Sequence, residues 1–439
     1  MATLPPYAAA EEALRQLVRA GIDQEEHVTS ALVRLGLEAL VNRILEEERT
    51  DFLGRERYER VERVDPGADQ PPTGYRNGYK PARVDVAEGR VTVAVPQVRQ
   101  SPTPFQPAAM AVLRGRSAEL ERLIIEMYAR GLSTRDIEDT FRDPVNGQPL
   151  LSRTAVSEVT EALWTEYQVF QERDLSDLDV VYLFVDALYE ALRRQGRSRE
   201  GILCAWAICA DGRKTLVHLA LGNTESYAAW LDFLRNLVRR GLPVPITVTS
   251  DGSPGLLRAI GEVWPASLRI RCWAHKMRNI LDKIPDGARE EVKAHLQAVR
   301  DAPTPLAGQQ AAVQVLETFT QRFPAAMKSF SDDLEASLAH LELPLAHRKH
   351  ARTTNLIERA FVEERRRTKI LPRFFDEQSG MKLVYAVLAR ASERWQRVRM
   401  TPLEVKQLAL LRARLGLDPG PGAGRMVTEE QLEREEGAA

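Results

Sequence analysis

Apolar positions recur near the 3.6-residue helical period through most of the chain and switch to a strand-like pattern in one central stretch. Residues 11–63 predict helix, with Leu14, Leu17 and Val18, then Leu32, Val33, Leu35, Leu37, Leu40, Val41, Ile44 and Leu45 at helical spacing. Residues 46–63 are densely charged around Phe52, Leu53, Tyr58 and Val61, the pattern of a solvent-facing helix with one apolar stripe suited to a dimer contact. Residues 65–78 (DPGADQPPTGYRNG) read as loop from their Pro and Gly content. Val84, Val86, Val91, Val93 and Val95 alternate about Glu88-Gly89, a β-hairpin signal, and residues 100–107 read as a linker.

Residues 117–167 predict three helices. Leu120, Leu123, Ile124, Met127 and Tyr128 share one face, and Gly131 ends that helix. Ser133 and Asp136 form a capping-box pattern at the second, with Asp in place of the usual Glu or Gln, and Ser152 opens the third. A helix-turn-helix DNA-binding module and a packed helical bundle suit this pattern equally. Residues 142–151 exceed the usual turn of about three to four residues.

The central stretch alternates strands and helices. Residues 180–185 (VVYLFV) form an apolar run that ends at Asp186. Residues 202–209 and 215–220 are strand candidates joined by an Ala-Asp-Gly-Arg turn, and 225–240 predict a helix with Trp230, Phe233, Leu234 and Leu237 on one face. A strand at 246–250 ends at Asp251, a helix follows at 252–263, then a strand at 268–272 and a helix to about residue 284. The order β-β-β-α-β-α-β-α predicts an α/β domain with strands buried on both faces. Residues 285–345 read as an inserted helical block, 353–369 as a strongly basic helix and 381–399 as an amphipathic helix. Residues 416–424 read as a linker before a flexible acidic tail.

The chain has 439 residues, which at roughly 100–200 residues per domain predicts two to four domains. With 44% hydrophobic and 28% charged residues it is not wholly disordered, collagen-like or a coiled coil. Its longest apolar run falls short of the ~18 residues of a membrane span, no secretory signal opens it, and three cysteines suit a reducing cytoplasm. The net charge of −1 hides an asymmetry: residues 345–400 carry 14 Lys and Arg against 6 Asp and Glu, a net +8. Residues 71–135 carry 10 against 5, a net +5, and the tail from 418 carries 2 against 6, a net −4. Separate basic blocks in a near-neutral chain point to local contacts with a polyanion. Of the 61 basic residues 51 are Arg, whose planar fork grips phosphate, although a GC-rich coding bias gives the same excess.

The chain contains no Walker A loop, so no nucleotide cofactor is expected, and neither a hydrolase elbow nor an HExxH zinc motif occurs. The informative residues are acidic. Asp186 and Asp251 each follow an apolar run, so both are expected at the carboxyl-end edge of a sheet, where a carboxylate is costly to bury without a cation. Paired carboxylates suit Mg²⁺ or Mn²⁺, and two such ions support phosphodiester chemistry. Glu358 is the candidate third acid, with Asn355 one helical turn before it on the same face. Taken singly, an Asp after a strand is usually a turn or cap residue, and a Glu in a basic helix usually an ion-pair partner. Cys272 and His275 offer two of the four ligands a zinc site needs, so Cys272 reads as a core thiol. His275 reads equally as a neighbour of the scissile phosphate or as packing.

The segments VYLFVDALYEALR (181–193), GNTESYAAWLDFLRNLVRRGL (222–242), ITVTSDGSPGLLRAI (246–260), RIRCWAHKMRNI (269–280) and RTTNLIERAFVEERRRTK (352–369) together resemble the Mutator-type family of bacterial insertion-sequence transposases. The likeness extends over about residues 71–399 and includes GYRNGYKPARV (74–84). It implies an RNase H-like catalytic core interrupted by an all-helical insertion, with Asp186, Asp251 and Glu358 as an Asp-Asp-Glu triad for two Mg²⁺ ions, Mn²⁺ being a substitute. Cys272 and His275 match the family's Cys/Asp-x-x-His signature. Arg359-Ala360-Phe361 departs from the small polar residue and Asn often found after the Glu.

The resulting expectation is a transposase in six parts. Residues 1–115 form a helical and hairpin region for dimerisation and DNA-end contacts, and 116–175 a helix-turn-helix-like module. Residues 176–283 form the first part of the core, 284–350 the insertion, 351–410 the last part of the core and 411–439 the tail. Expected partners are transposon-end and target DNA, with a homodimer or larger assembly on DNA and no membrane. Arg365, Arg366, Arg367 and Lys369, with Arg135 and Arg153, are the expected DNA contacts, and Cys272, His275 and Asn355 the active-site neighbours. Other readings are an RNase H-like nuclease or recombinase such as a junction resolvase, a domesticated non-catalytic DNA-binding protein, and a hydrolase of small phosphate esters.

Overall fold

The alternation of helical and strand periods resolves into 17 α-helices and eight strands among the residues that the computed structural model describes: 5–20, 28–59, 74–113, 115–142, 149–190, 200–222, 226–368 and 377–417. They fall into two units, Met1–Ala162 and Leu163–Ala439. No described helix is long and apolar enough to cross a membrane.

The first unit opens with α1 (Pro6–Ala20) and α2 (Val28–Leu53), which pack together. Strands β1 (Tyr75–Val86) and β2 (Gly89–Arg99) form the expected antiparallel hairpin, pairing Val84 with Val91. After α3 (Ala108–Val112), β3 (Gly115–Arg116) pairs parallel to β1, giving the order β2-β1-β3. Val41 and Leu45 of α2 pack on Val84, Val86, Val91, Val93 and Met110.

Three expectations are corrected here. The helix does not continue to residue 63: α2 ends at Leu53, and residues 60–63 lie outside the described ones. Its charged end does not simply face solvent either. Glu46 and Arg49 are buried one helical turn apart, and Arg49 donates to Glu46 at 2.8 Å and to the Tyr79 hydroxyl at 2.8 Å. Arg76 also pairs with Glu46, so the charges compensate each other against β1. Residues 75–78 are strand rather than loop, because a bulge between Arg76 and Tyr79 absorbs the Asn-Gly turn signal.

Three helices follow: α4 (Ala118–Ala129), α5 (Thr134–Thr140) and α6 (Arg153–Glu172), the last crossing into the second unit. The capping box on α5 is present, with Ser133 and Asp136 each accepting the other's backbone N–H. The helix α6 is 20 residues long and runs past the expected end at residue 167.

In the second unit, β4 (Val180–Glu190), β5 (Glu200–Cys209) and β6 (Lys214–Gly222) are antiparallel neighbours. Then come α7 (Tyr227–Arg239), β7 (Thr247–Ser250), α8 (Pro254–Val263), β8 (Leu268–Arg271) and α9 (Trp273–Leu281), in the order the sequence predicts. Strands β7 and β8 add in parallel, giving the sheet β6-β5-β4-β7-β8. Leu183, Val185 and Val248 point to one face, against Trp230, Phe233 and Leu234 of α7 and Leu256, Ala259 and Ile260 of α8.

A helical block follows: α10 (Asp286–Arg300), α11 (Pro305–Phe319), α12 (Pro324–Ser331), α13 (Leu334–Leu338), a 3₁₀ turn (Ala339–Glu342) and α14 (Leu345–Ala351). Its core of Val292, Leu296, Val315, Phe319, Met327 and Phe330 reaches Trp273 of α9. Helices α15 (Asn355–Thr368) and α16 (Glu377–Arg394) cover the second face of the sheet, and Trp206 of β5 stacks on Trp395 with ring centroids 4.5 Å apart. The last helix, α17 (Pro402–Arg414), is missing from the sequence reading although Thr401 and Glu404 form a capping box at its start. The acidic tail and most of the preceding linker lie outside the described residues.

Candidate active site

The end of the central sheet gathers the acidic residues because of register. Strands β4 and β7 pair Tyr182 with Thr247, Leu183 with Val248 and Phe184 with Thr249; Asp186 and Asp251 each lie two residues beyond the last pair, near enough for the Asp251 charge to act on Asp186. Neighbouring strands lie about 4.8 Å apart. Period-two alternation puts Asp186 on the face of Tyr182 and Phe184, which is the α14 and α15 face: the Tyr182 hydroxyl meets His347 Nδ1 at 2.7 Å, and Thr249 Oγ1 donates to the Ala351 carbonyl at 2.8 Å.

Asp251 directly follows β7, as expected. Asp186 does not end its strand: β4 runs on to Glu190, and Asp186 pairs with Cys204 of β5. The strand tolerates the acid because its carboxylate accepts the Ala187 N–H at 2.8 Å and lies near His275 and the Thr354 hydroxyl. Burial, with the Asp251 charge adding to it, pushes the Asp186 carboxyl up to about 7.

Glu358 arrives from α15. The segment before this helix is pinned to the sheet end: Trp273 N–H donates to the Arg352 carbonyl at 2.9 Å, and Thr354 N–H donates to Cys272 Sγ at 3.3 Å. The Glu358 N–H then donates to the Thr354 carbonyl at 3.0 Å. His275, on the first turn of α9, places Nε2 3.7 Å from Glu358 Oε1. Cys272 raises the basicity of His275 most; burial opposes this, and Asp186 and Glu358 add to it. Burial works against the Cys272 thiolate, yet His275 and Thr354 together hold the thiol below its ordinary value. Cys272 is fully buried and is a free thiol, as a core cysteine would be.

The structure thus brings Asp186, Asp251, Glu358, Cys272 and His275 to one end of the sheet. Among the described residues, no group of three or more His, Cys, Asp or Glu side chains stands in a metal-ligating arrangement. Asn355 is exposed at the start of α15. Arg365 and Arg366 are exposed further along α15, Arg367 belongs to the same helix, and Lys369 lies outside the described residues. In the first unit Arg135 is exposed on α5, and Arg153 donates to Glu138 at 2.7 Å.

Sequence reasoning missed two neighbours. Thr354 is completely buried between Cys272 and Asp186, and its signal was its place just ahead of the Glu358 helix. Arg271, 8% exposed, pairs across the strands with Ser250 and lies over Gly252, so close that a Cβ there would stand 2.5 Å from Cζ. Burial disfavours its charge and Asp251 supports it. Its signal was its position at the end of β8, one residue before Cys272.

Residues 8–398 match the family described as Transposase, Mutator family. The transposase for insertion sequence element IS6120 of Mycolicibacterium smegmatis is 33% identical over 288 residues, covering 65% of this chain and 87% of the relative. The transposase for IS406 of Burkholderia multivorans is 32% identical over 361 residues, covering 82% and 90%. The transposase for ISRM5 of Rhizobium meliloti is 30% identical over 384 residues, covering 86% and 93%. With a match across nearly its whole length, the chain belongs to the Mutator family of transposases.

Proposed function

We propose that the protein is the transposase of an insertion sequence, which binds the terminal inverted repeats and carries out Mg²⁺-dependent DNA strand cleavage and strand transfer. The observation that carries this reading is that Asp186 and Asp251 follow the last β4–β7 pair on adjacent strands by two residues each, while α15 brings Glu358 within 3.7 Å of His275 at the same sheet end. The sheet order, with three antiparallel strands, two parallel ones and helices on both faces, supports an RNase H-like core. Helices α10–α14, between β8 and α15, support an insertion at residues 284–350.

The three acids are an all-oxygen donor set, and the upward push on Asp186 by burial and by Asp251 is a strain that a cation relieves. By donor chemistry, though not by their present spacing, they suit a hard divalent ion. Asp186 and Asp251 would hold two Mg²⁺ ions, with Glu358 completing one site. Bound there, the ions would activate water or a 3′-hydroxyl and stabilise the departing 3′-oxygen. The chain's own residues do the placing. The sheet fixes the two aspartates, and His275 faces Glu358 and sets its orientation. Arg365, Arg366, Arg367 and Lys369 meet phosphates, as do Arg135 and Arg153 in the first unit. No protein nucleophile is required.

Asp186→Ala, Asp251→Ala and Glu358→Gln are each expected to abolish Mg²⁺-dependent cleavage of element-end DNA while end binding persists in gel-shift assays. Normal cleavage by any one of the three folded variants overturns the assignment.

A further inference from the structure

We infer that Thr354 is a positioning residue that ties the helix bearing Glu358 to the sheet end, with Cys272 as its anchor. This rests on the catalytic reading above and extends it to residues that touch neither substrate nor ion. Thr354 has no solvent exposure and stands immediately ahead of α15. Its backbone carbonyl accepts the Glu358 N–H at 3.0 Å, so its position fixes the first turn that carries the third acid. One residue therefore holds the third acid through its main chain and meets the sheet end through Cys272.

Cys272 fixes Thr354 in turn. The Thr354 N–H donates to Sγ at 3.3 Å, and the hydroxyl oxygen lies 3.4 Å from the same sulfur. Both Thr354 donors, the backbone N–H and the hydroxyl, are thus directed at the sulfur. The sulfur is itself held at the junction of β8 and α9, where Cys272 N–H donates to the Ser250 carbonyl at 2.9 Å, one residue before Asp251. The chain of contacts thus runs from the β7 end through Cys272 and Thr354 to α15. It gives the buried thiol a role as a hydrogen-bonding fixture, with no redox or nucleophilic step.

The test uses the full-length protein. Thr354→Val keeps the branched shape and the backbone N–H but removes the hydroxyl. It is expected to slow strand cleavage about 10- to 100-fold, the usual range for lost outer-shell partners, with end-DNA affinity unchanged. Thr354→Ser, which restores the hydroxyl, is expected to recover most of the rate. Cys272→Ala removes the anchor, and the amides of Thr354 and Glu358 are expected to exchange hydrogen faster while those of β4 stay protected. A normal rate in Thr354→Val, a Ser variant as slow as the Val variant, or unchanged exchange in Cys272→Ala overturns the inference. Absence of metal-dependent cleavage in the unmodified protein would instead defeat the catalytic reading, and the exchange measurement would still test the anchor.

Discussion

Replacing Gly252 with Ala tests the packing behind Asp251. Gly252 adopts φ +85°, where a side chain costs about 1–2 kcal/mol. The added Cβ would stand 2.5 Å from Cζ and Nε of Arg271 and 2.6 Å from Nη1. Arg271 is hemmed in, at 8% exposure, so its guanidinium must push into packed neighbours or leave Asp251. Overpacking of this kind costs about 1–3 kcal/mol, so the two effects together predict a loss of about 3 kcal/mol. Urea unfolding can follow this through Trp206, Trp230, Trp264 and Trp273, all buried in the second unit. The steric part should vanish in an Arg271→Ala background, leaving the backbone cost of about 1–2 kcal/mol. A loss below about 1 kcal/mol in the single variant, or the same loss in both backgrounds, would refute the packing argument.

Two further outcomes follow from the charges. Burial works against ionised Glu46, yet its bonds to Arg49, Tyr79 and Arg76 hold the carboxyl below its ordinary value. Its stabilisation is therefore full above the unfolded value of about 4.3 and is lost as pH falls through the lowered folded value. Hydrogen-exchange protection of residues 41–45 should weaken over that acid range in the unmodified protein and much less in Glu46→Gln; equal acid slopes would contradict the role of the ion pairs. Asp186→Asn removes a charge that burial and Asp251 both disfavour, and the penalty it relieves is fully present above about pH 7. This variant should melt higher than the unmodified protein in EDTA at pH 8; a lower midpoint would show that the acid pair is not a source of strain.

The central α/β order was legible because its strands are buried on both faces and read as continuous apolar runs, as in VVYLFV. Asp251 was placed correctly because β7 does end at Ser250. Asp186 was misjudged as a strand end because a charge normally stops a buried strand, and only the neighbouring Ala187 N–H, His275 and Thr354 explain why this one does not. Glu46 and Arg49 failed for a related reason: each alone signals solvent, whereas their pairing with Arg76 and Tyr79 across 30 or more residues is a long-range property. Register could not be read at all, yet register brings the two aspartates to the same end of neighbouring strands. Thr354 carried no distinctive pattern, since nothing in a Thr-Thr-Asn run announces that a sulfur 82 residues earlier will hold it.

The helix bearing Glu358 has a consequence for biosynthesis. It follows β4 by the rest of the sheet and the whole helical block, so ribosomes must translate all of these before the final acid emerges. Any product released earlier, by premature termination or by proteolysis ahead of residue 355, carries at most the two aspartates and lacks the Thr354 contact in a docked α15. Placing the last acid so late withholds the complete acid set from incomplete chains.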